Sequence, residues 1–115
     1  MEEAKDLIIT GGFDVHPAEV ERALMSYPAI RDCVVVGLPD EMWGERVTAV
    51  LELHPGLTVS ESEVRNYVKS RLGGVKTPKQ VKVWDDLPRS TVGTVLKNEV
   101  RARLLNELGD GGRGR

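Results

Sequence analysis

The sequence predicts a small α+β domain: an antiparallel or mixed sheet flanked by about three helices, opening on an N-terminal two-stranded hairpin. Three observations carry that expectation. Short β-branched runs alternate with stretches of helical spacing in the order β-β-α-β-β-α-β-α. Glycine or proline closes nearly every run. The 115 residues suffice for one domain with one modest core.

Leu7-Ile8-Ile9-Thr10 reads as a first strand that stops at Gly11-Gly12 and turns back through Phe13-Asp14-Val15. Pro17 stands where a first helical residue would, and Val20, Ala23 and Leu24 follow at i, i+3, i+4 spacing. That helix should end near Ser26, ahead of Pro28. Cys33 to Val36 predicts a strand ended by Gly37 and a turn around Pro39-Asp40. Arg46 to Leu53 alternates as the next strand, and His54-Pro55-Gly56 closes it, because proline cannot donate to a ladder.

Ser60-Glu61-Ser62-Glu63 fits a capping box, with Ser60 as cap and Glu63 reaching back. Val64, Tyr67, Val68 and Leu72 then form one apolar stripe, and Gly73-Gly74 suits the helix stop. Val81 to Trp84 predicts a short strand. The last helix is expected from about Lys97 to Leu108, with Val100, Leu104, Leu105 and Leu108 facing inward. Residues 1–108 thus form the domain, and the glycine-rich residues 109–115 a flexible tail.

Composition narrows the function classes without naming one. A formal net charge of -2, from 16 basic and 18 acidic interspersed residues, gives no reason to expect nucleic acid or a membrane surface as partner. No apolar stretch approaches the roughly 20 residues of a membrane span. The acidic start lacks the apolar core of a signal peptide, so the expectation is a cytoplasmic protein. Cys33 is the one cysteine and lies in an apolar run, where it reads as a small buried hydrophobe. No metal site is expected. Composition and periodicity alone stop at "small α+β domain".

Three segments go further. Lys5 to Glu21 (KDLIITGGFDVHPAEVE), Val34 to Glu45 (VVVGLPDEMWGE) and Leu87 to Lys97 (LPRSTVGTVLK) occur in order, with consistent spacing. Together they resemble the C-terminal domain of the ATP-dependent acyl-CoA ligases, the AMP-binding or adenylate-forming family. The resemblance implies a two-step reaction in which a carboxylate and ATP give an acyl-adenylate and pyrophosphate, and the thiol of coenzyme A then displaces AMP. ATP with Mg2+ and coenzyme A would serve the whole ligase, and none is expected bound to this portion. Most of the nucleotide and acyl pocket belongs, in this family, to a large N-terminal adenylation domain not contained in these residues. The 115 residues by themselves are therefore not expected to catalyse the overall reaction. The expected partners are that domain, a carboxylic acid and coenzyme A.

Residue by residue, the resemblance puts Lys5 at the hinge about which the small domain swings, where torsions at an element end absorb the rotation. Gly11 and Gly12 would line the pantetheine tunnel, where a side chain would block close approach. Phe13-Asp14 points toward a fatty or otherwise hydrophobic carboxylate. Trp43 would lie beside the coenzyme A nucleotide or pantetheine arm, and Lys76 and Lys79 would face its phosphates. His16 is expected to pack rather than act as a base.

The largest departure is Thr94, at the catalytic position where the family carries lysine after the glycine matching Gly93. That lysine bridges substrate carboxylate and nucleotide, and Thr94 brings neither charge nor reach. Lys97, three residues on, would begin the last helix. The expectation is impaired adenylation with the thioester step intact. The alternative is a non-catalytic interaction module that retains the fold, and an upstream domain with a Ser/Thr/Gly-rich phosphate loop would separate the two.

Overall fold

The computed structural model describes residues 7–113, with side chains through Glu107. The hinge candidate Lys5 and the inward-facing role expected of Leu108 fall outside the described residues. Eight elements follow in the expected order: β1 (Ile8–Thr10), β2 (Phe13–Val15), α1 (Pro17–Met25), β3 (Ile30–Asp40), β4 (Gly44–Leu53), α2 (Glu61–Leu72), β5 (Gln80–Val83) and α3 (Lys97–Arg113). The strands form one mixed sheet in which β4 is central. It pairs antiparallel with β3 along its length, antiparallel with β1 at Thr10–Gly44, and parallel with β5.

Side-chain alternation along β3 and β4 divides the interior into two layers. Cys33, Val35, Val47, Ala49 and Leu51 face α1 and α2 and join Ile8, Val15, Val20, Leu24, Val64 and Val68 in one core. Val34, Val36, Leu38 and Val50 face the other way and pack with Leu87, Val100 and Leu104. Because both faces of β3 are covered, its sequence reads as a continuous apolar run rather than an alternating one.

That double burial explains one difference from expectation. The strand predicted over Cys33 to Val36 runs from Ile30 to Asp40, through both Gly37 and Pro39. Proline is tolerated there because β3 is an edge strand with a single ladder partner, β4. Gly37 suits the strand's close packing: a Cβ there would sit 3.0 Å from the Ile8 side chain, which would have to shift to admit it. The last helix also passes its expected end at Leu108 and continues to Arg113, since the glycines beyond weaken a helix without blocking it as proline would.

The capping box forms as expected. The Glu63 amide donates to Ser60 Oγ at 3.0 Å, and the Ser60 amide donates to Glu63 Oε1 at 3.1 Å. α2 is fastened to the turn that follows α1 by an edge-on contact of Tyr27 and Tyr67 at 4.8 Å, and by Tyr27 donating to Glu63. Gly73 ends α2 at φ 89°, a value L side chains rarely adopt. Cys33 is buried, and burial, then the Glu21 and Asp32 carboxylates, push its thiol up to about 12, so it is an inert core residue.

Candidate functional site

The two ends of the β3–β4 hairpin carry the residues of interest. At one end the chain reverses through Glu41-Met42-Trp43. Asp40 Oδ1 accepts from the Met42 and Trp43 amides, each at 2.9 Å, which makes the turn. The Trp43 amide first, then the Met42 amide and Arg46, hold the Asp40 carboxyl below the usual carboxylate range against the opposing effect of burial.

The β1–β2 hairpin docks on this turn. Gly11 and Gly12 both have positive φ, 58° and 85°, as a two-residue hairpin turn demands. The Gly11 amide donates to the Trp43 carbonyl at 2.8 Å. A Cβ on Gly11 would sit 2.9 Å from Trp43 Cε3, so the indole lies flush against the glycine backbone. Gly12 has nothing within 4 Å of its would-be Cβ and leaves open space.

Lys79 places its ammonium over the Trp43 ring, 4.6 Å from the centroid. Together with Thr10, Phe13, Gly74 and Val75, these two side chains line a surface cleft of about 310 Å³. Its walls are apolar with one cation at the rim. Thr10 is itself buried, at 3% exposure, beneath the cleft wall. The structure thus brings Gly11, Gly12, Trp43 and Lys79 together. Lys76 is engaged elsewhere, its ammonium 3.0 Å from Glu19 Oε2. His16 is exposed and makes no side-chain cap at the start of α1. The packing expected of it falls to its neighbours Val15 and Pro17, which point inward where the alternating chain turns His16 out.

At the opposite end, residues 88–96 form a second, tighter hairpin. The Leu96 amide donates to the Pro88 carbonyl and the Ser90 amide to the Thr94 carbonyl, both at 2.8 Å. Ser90 Oγ accepts from the Val92 and Thr94 amides at 3.3 Å each. Gly93 takes φ 92° at the tip. Thr94 is exposed there, and Val92 is 85% exposed. Lys97 opens α3 and pairs with Glu21 at 3.3 Å, so its ammonium is held toward α1. Among the described residues, no group of three or more His, Cys, Asp or Glu side chains converges as a metal site. No helix among them is long and apolar enough to cross a membrane.

Both surfaces belong to a known kind of domain. Residues 19–94 fit the AMP-binding enzyme C-terminal domain family. The chain belongs to that family. It is 42% identical over 116 residues to a medium/long-chain-fatty-acid–CoA ligase of Mycobacterium tuberculosis, covering 95% of this chain and 20% of that protein. It is 43% identical over 100 residues to a feruloyl-CoA synthase of Amycolatopsis, covering 87% of the chain and 20% of the relative. Among solved structures, ATP-bound MatB from Rhodopseudomonas palustris superposes with a TM-score of 0.82 at 42% identity, over 87% of this chain and 20% of that one. The chain therefore spans about a fifth of the length of these relatives, and as an AMP-binding C-terminal domain it corresponds to one part of them.

Two features of this family member lay outside the sequence reading. Thr10 lines the cleft, yet nothing in a short strand marks it. Arg89 lies within a quoted motif, but its partners are distant in sequence.

Proposed function

We propose that this domain is the mobile C-terminal part of a cytoplasmic, ATP-dependent ligase that joins a carboxylic acid, of the fatty-acid class, to coenzyme A. The cleft beside Gly11, Gly12 and Trp43 carries the reading. Its apolar wall suits the alkyl segments of a pantetheine arm, and Lys79 suits a phosphate. Lys76 would add a second cation only by leaving Glu19. Gly12 lets the arm approach the backbone, and Lys5 would serve as hinge. ATP and its Mg2+ would be held mainly by the adenylation domain that forms the rest of the ligase.

The 88–96 hairpin would be the second working surface. There the residue at position 94 is asked to stabilise charge as the acyl-adenylate forms. An exposed threonine offers no cation, and Lys97 is engaged with Glu21 at the start of its helix. The ligase as encoded therefore adenylates weakly, while thioester formation, which uses the other surface, is preserved. Pyrophosphate exchange by the full-length ligase, with fatty and aryl carboxylates, tests this directly. Weak exchange as encoded that rises with Thr94→Lys supports the proposal. No exchange in either form, from a folded protein, favours the second reading that Thr94 suggests: an interaction module that has kept the fold without the chemistry.

A further inference from the structure

Among the described residues, Glu52 is the one charged side chain that is fully buried, at 1% exposure. Its two carboxylate oxygens serve different partners. Oε2 accepts from Arg31, with Nε at 2.8 Å and Nη2 also bonded. Oε1 accepts from Arg89 Nη2 at 2.7 Å and from the Leu87 amide at 3.2 Å. Arg89 is further held by Asp32 at 2.8 Å, by Asp86 at 3.1 Å and by the Leu87 carbonyl at 3.2 Å. Leu87 is itself buried in the α3-side core.

These contacts all lie at the foot of the 88–96 hairpin. Its internal bonds give the hairpin a shape but do not say which way it points from the sheet. Its tip cannot supply that direction, because residues 91 to 94 are all exposed. The foot can, since a fork of guanidinium N–H groups on a buried carboxylate fixes angle as well as distance. A buried ion pair is weak evidence for stability, because a well-packed apolar replacement is often as stable. A positional role accounts better for a lone buried acid beneath a loop.

We propose that Glu52 is a positioning residue: through Arg89 and the Leu87 amide it sets the direction in which the 88–96 hairpin presents residue 94. The proposal rests on the adenylation reading only for its catalytic consequence. The geometric claim stands apart and can be tested in the 115-residue chain.

Spin labels at Val92→Cys on the tip and Ser62→Cys on α2, in a Cys33→Ala background, report the tip-to-sheet distance. The expected result is a narrow distance distribution in that background, broadened by Glu52→Gln and by Arg89→Lys. Arg31→Ala should leave it narrow, because Arg31 touches the same carboxylate but no residue of the hairpin. Equal broadening by Arg31→Ala would reduce Glu52 to a stability role, and no broadening by either hairpin-side variant would overturn the proposal outright.

In the full-length ligase carrying Thr94→Lys, adding Glu52→Gln should lower pyrophosphate exchange by about a hundredfold, the scale of an ångström-sized misplacement. Thioester formation from supplied acyl-adenylate should be unchanged. Exchange that appears with Thr94→Lys and ignores Glu52→Gln would count against Glu52 alone. Exchange that never appears would count against the ligase reading, with the spin-label distances still deciding Glu52.

Discussion

The two ends of the β3–β4 hairpin are built by different means. At roughly 3.3 Å per residue, Asp32 and Asp40 stand roughly 26 Å apart along β3. Near Asp40, the working surface is shaped by short-range backbone devices: an aspartate-capped turn and a two-glycine hairpin, joined by one amide-to-carbonyl bond. Near Asp32, the 88–96 hairpin is held by charged side chains whose partners lie 35, 37 and 57 residues away in sequence. Local geometry makes the first surface hard to change without strain. The second depends on a wider network of charges, so it responds to single substitutions; each end carries one acid-sensitive carboxylate, Asp40 at the first and Glu52 at the second. On the proposed reading, in which one face serves adenylation and the other thioester formation, such a domain can lose one function while keeping the other.

The largest expected effect divides the two ends functionally. Thr94→Lys should raise pyrophosphate exchange by about 10²–10³, the scale of restoring one preorganised charge-stabilising donor. It should leave the thioester step unchanged. Trp43→Ala should do the reverse, slowing transfer to coenzyme A while exchange persists. Loss of both steps in either variant would mean that the two surfaces are not separable.

Next in size is the charge network. Glu52→Gln should cost about 1–3 kcal/mol in urea unfolding, since it leaves guanidinium donors poorly matched at a buried site. The cost stays below that of a fully buried pair, because Arg31 is 47% exposed. Burial alone would raise the Glu52 pKa, but hydrogen bonds from Arg31 and Arg89 hold it below the ordinary 4.5. A carboxylate depressed in the folded state contributes stability that is complete above the unfolded value and lost as pH falls through the folded one. The gap between the unsubstituted chain and Glu52→Gln should therefore shrink below about pH 4.5. Asp40 and Glu63 are lowered too, so both proteins weaken in acid, and the gap rather than either curve is the readout.

This contrast also explains what could be seen in the sequence. The order of eight elements, the capping box and the Gly11-Gly12 turn were legible because each is specified within a few residues. The extent of β3 was not: Gly37 and Pro39 read locally as a stop, and only the edge position of the strand and the Ile8 side chain against Gly37 make them fit. Resemblance to the ligases suggested Gly11, Gly12, Trp43, Lys76 and Lys79 for coenzyme A; in the fold Gly11 and Lys79 both touch the Trp43 indole, whereas Lys76 turns to Glu19. Glu52 escaped notice because a glutamate near the end of an alternating strand looks solvated. Its burial depends on Arg89, 37 residues on.

At the Trp43 end the stability effects should be smaller and steric. Gly11→Ala should cost about 1–2 kcal/mol for a left-handed alanine, plus whatever the indole must move to clear a Cβ at 2.9 Å. Gly12→Ala meets no such neighbour and should cost less, so the difference between the two urea midpoints isolates the Trp43 contact.

The smallest effect sharpens the comparison most. Lys79→Ala removes a cation–π contact worth about 0.5–1 kcal/mol at an exposed site. Unlike the Arg89 network, this contact has no buried carboxylate beneath it, so its loss should vary little with pH between neutral and acid. It should, however, weaken with added salt no more than a single exposed cation does, and it should shift tryptophan emission as the ammonium leaves the ring. Trp84 lies under Arg103 at 5.1 Å and would add its own signal, so the measurement belongs in a Trp84→Phe background. An emission shift on Lys79→Ala without a change in the urea midpoint would mean that Lys79 rests on the indole without bracing it, leaving the ammonium available to an anion in the cleft. A midpoint shift beyond about 1 kcal/mol would mean that this end, too, is held together by charge, and the distinction between the two ends would fail.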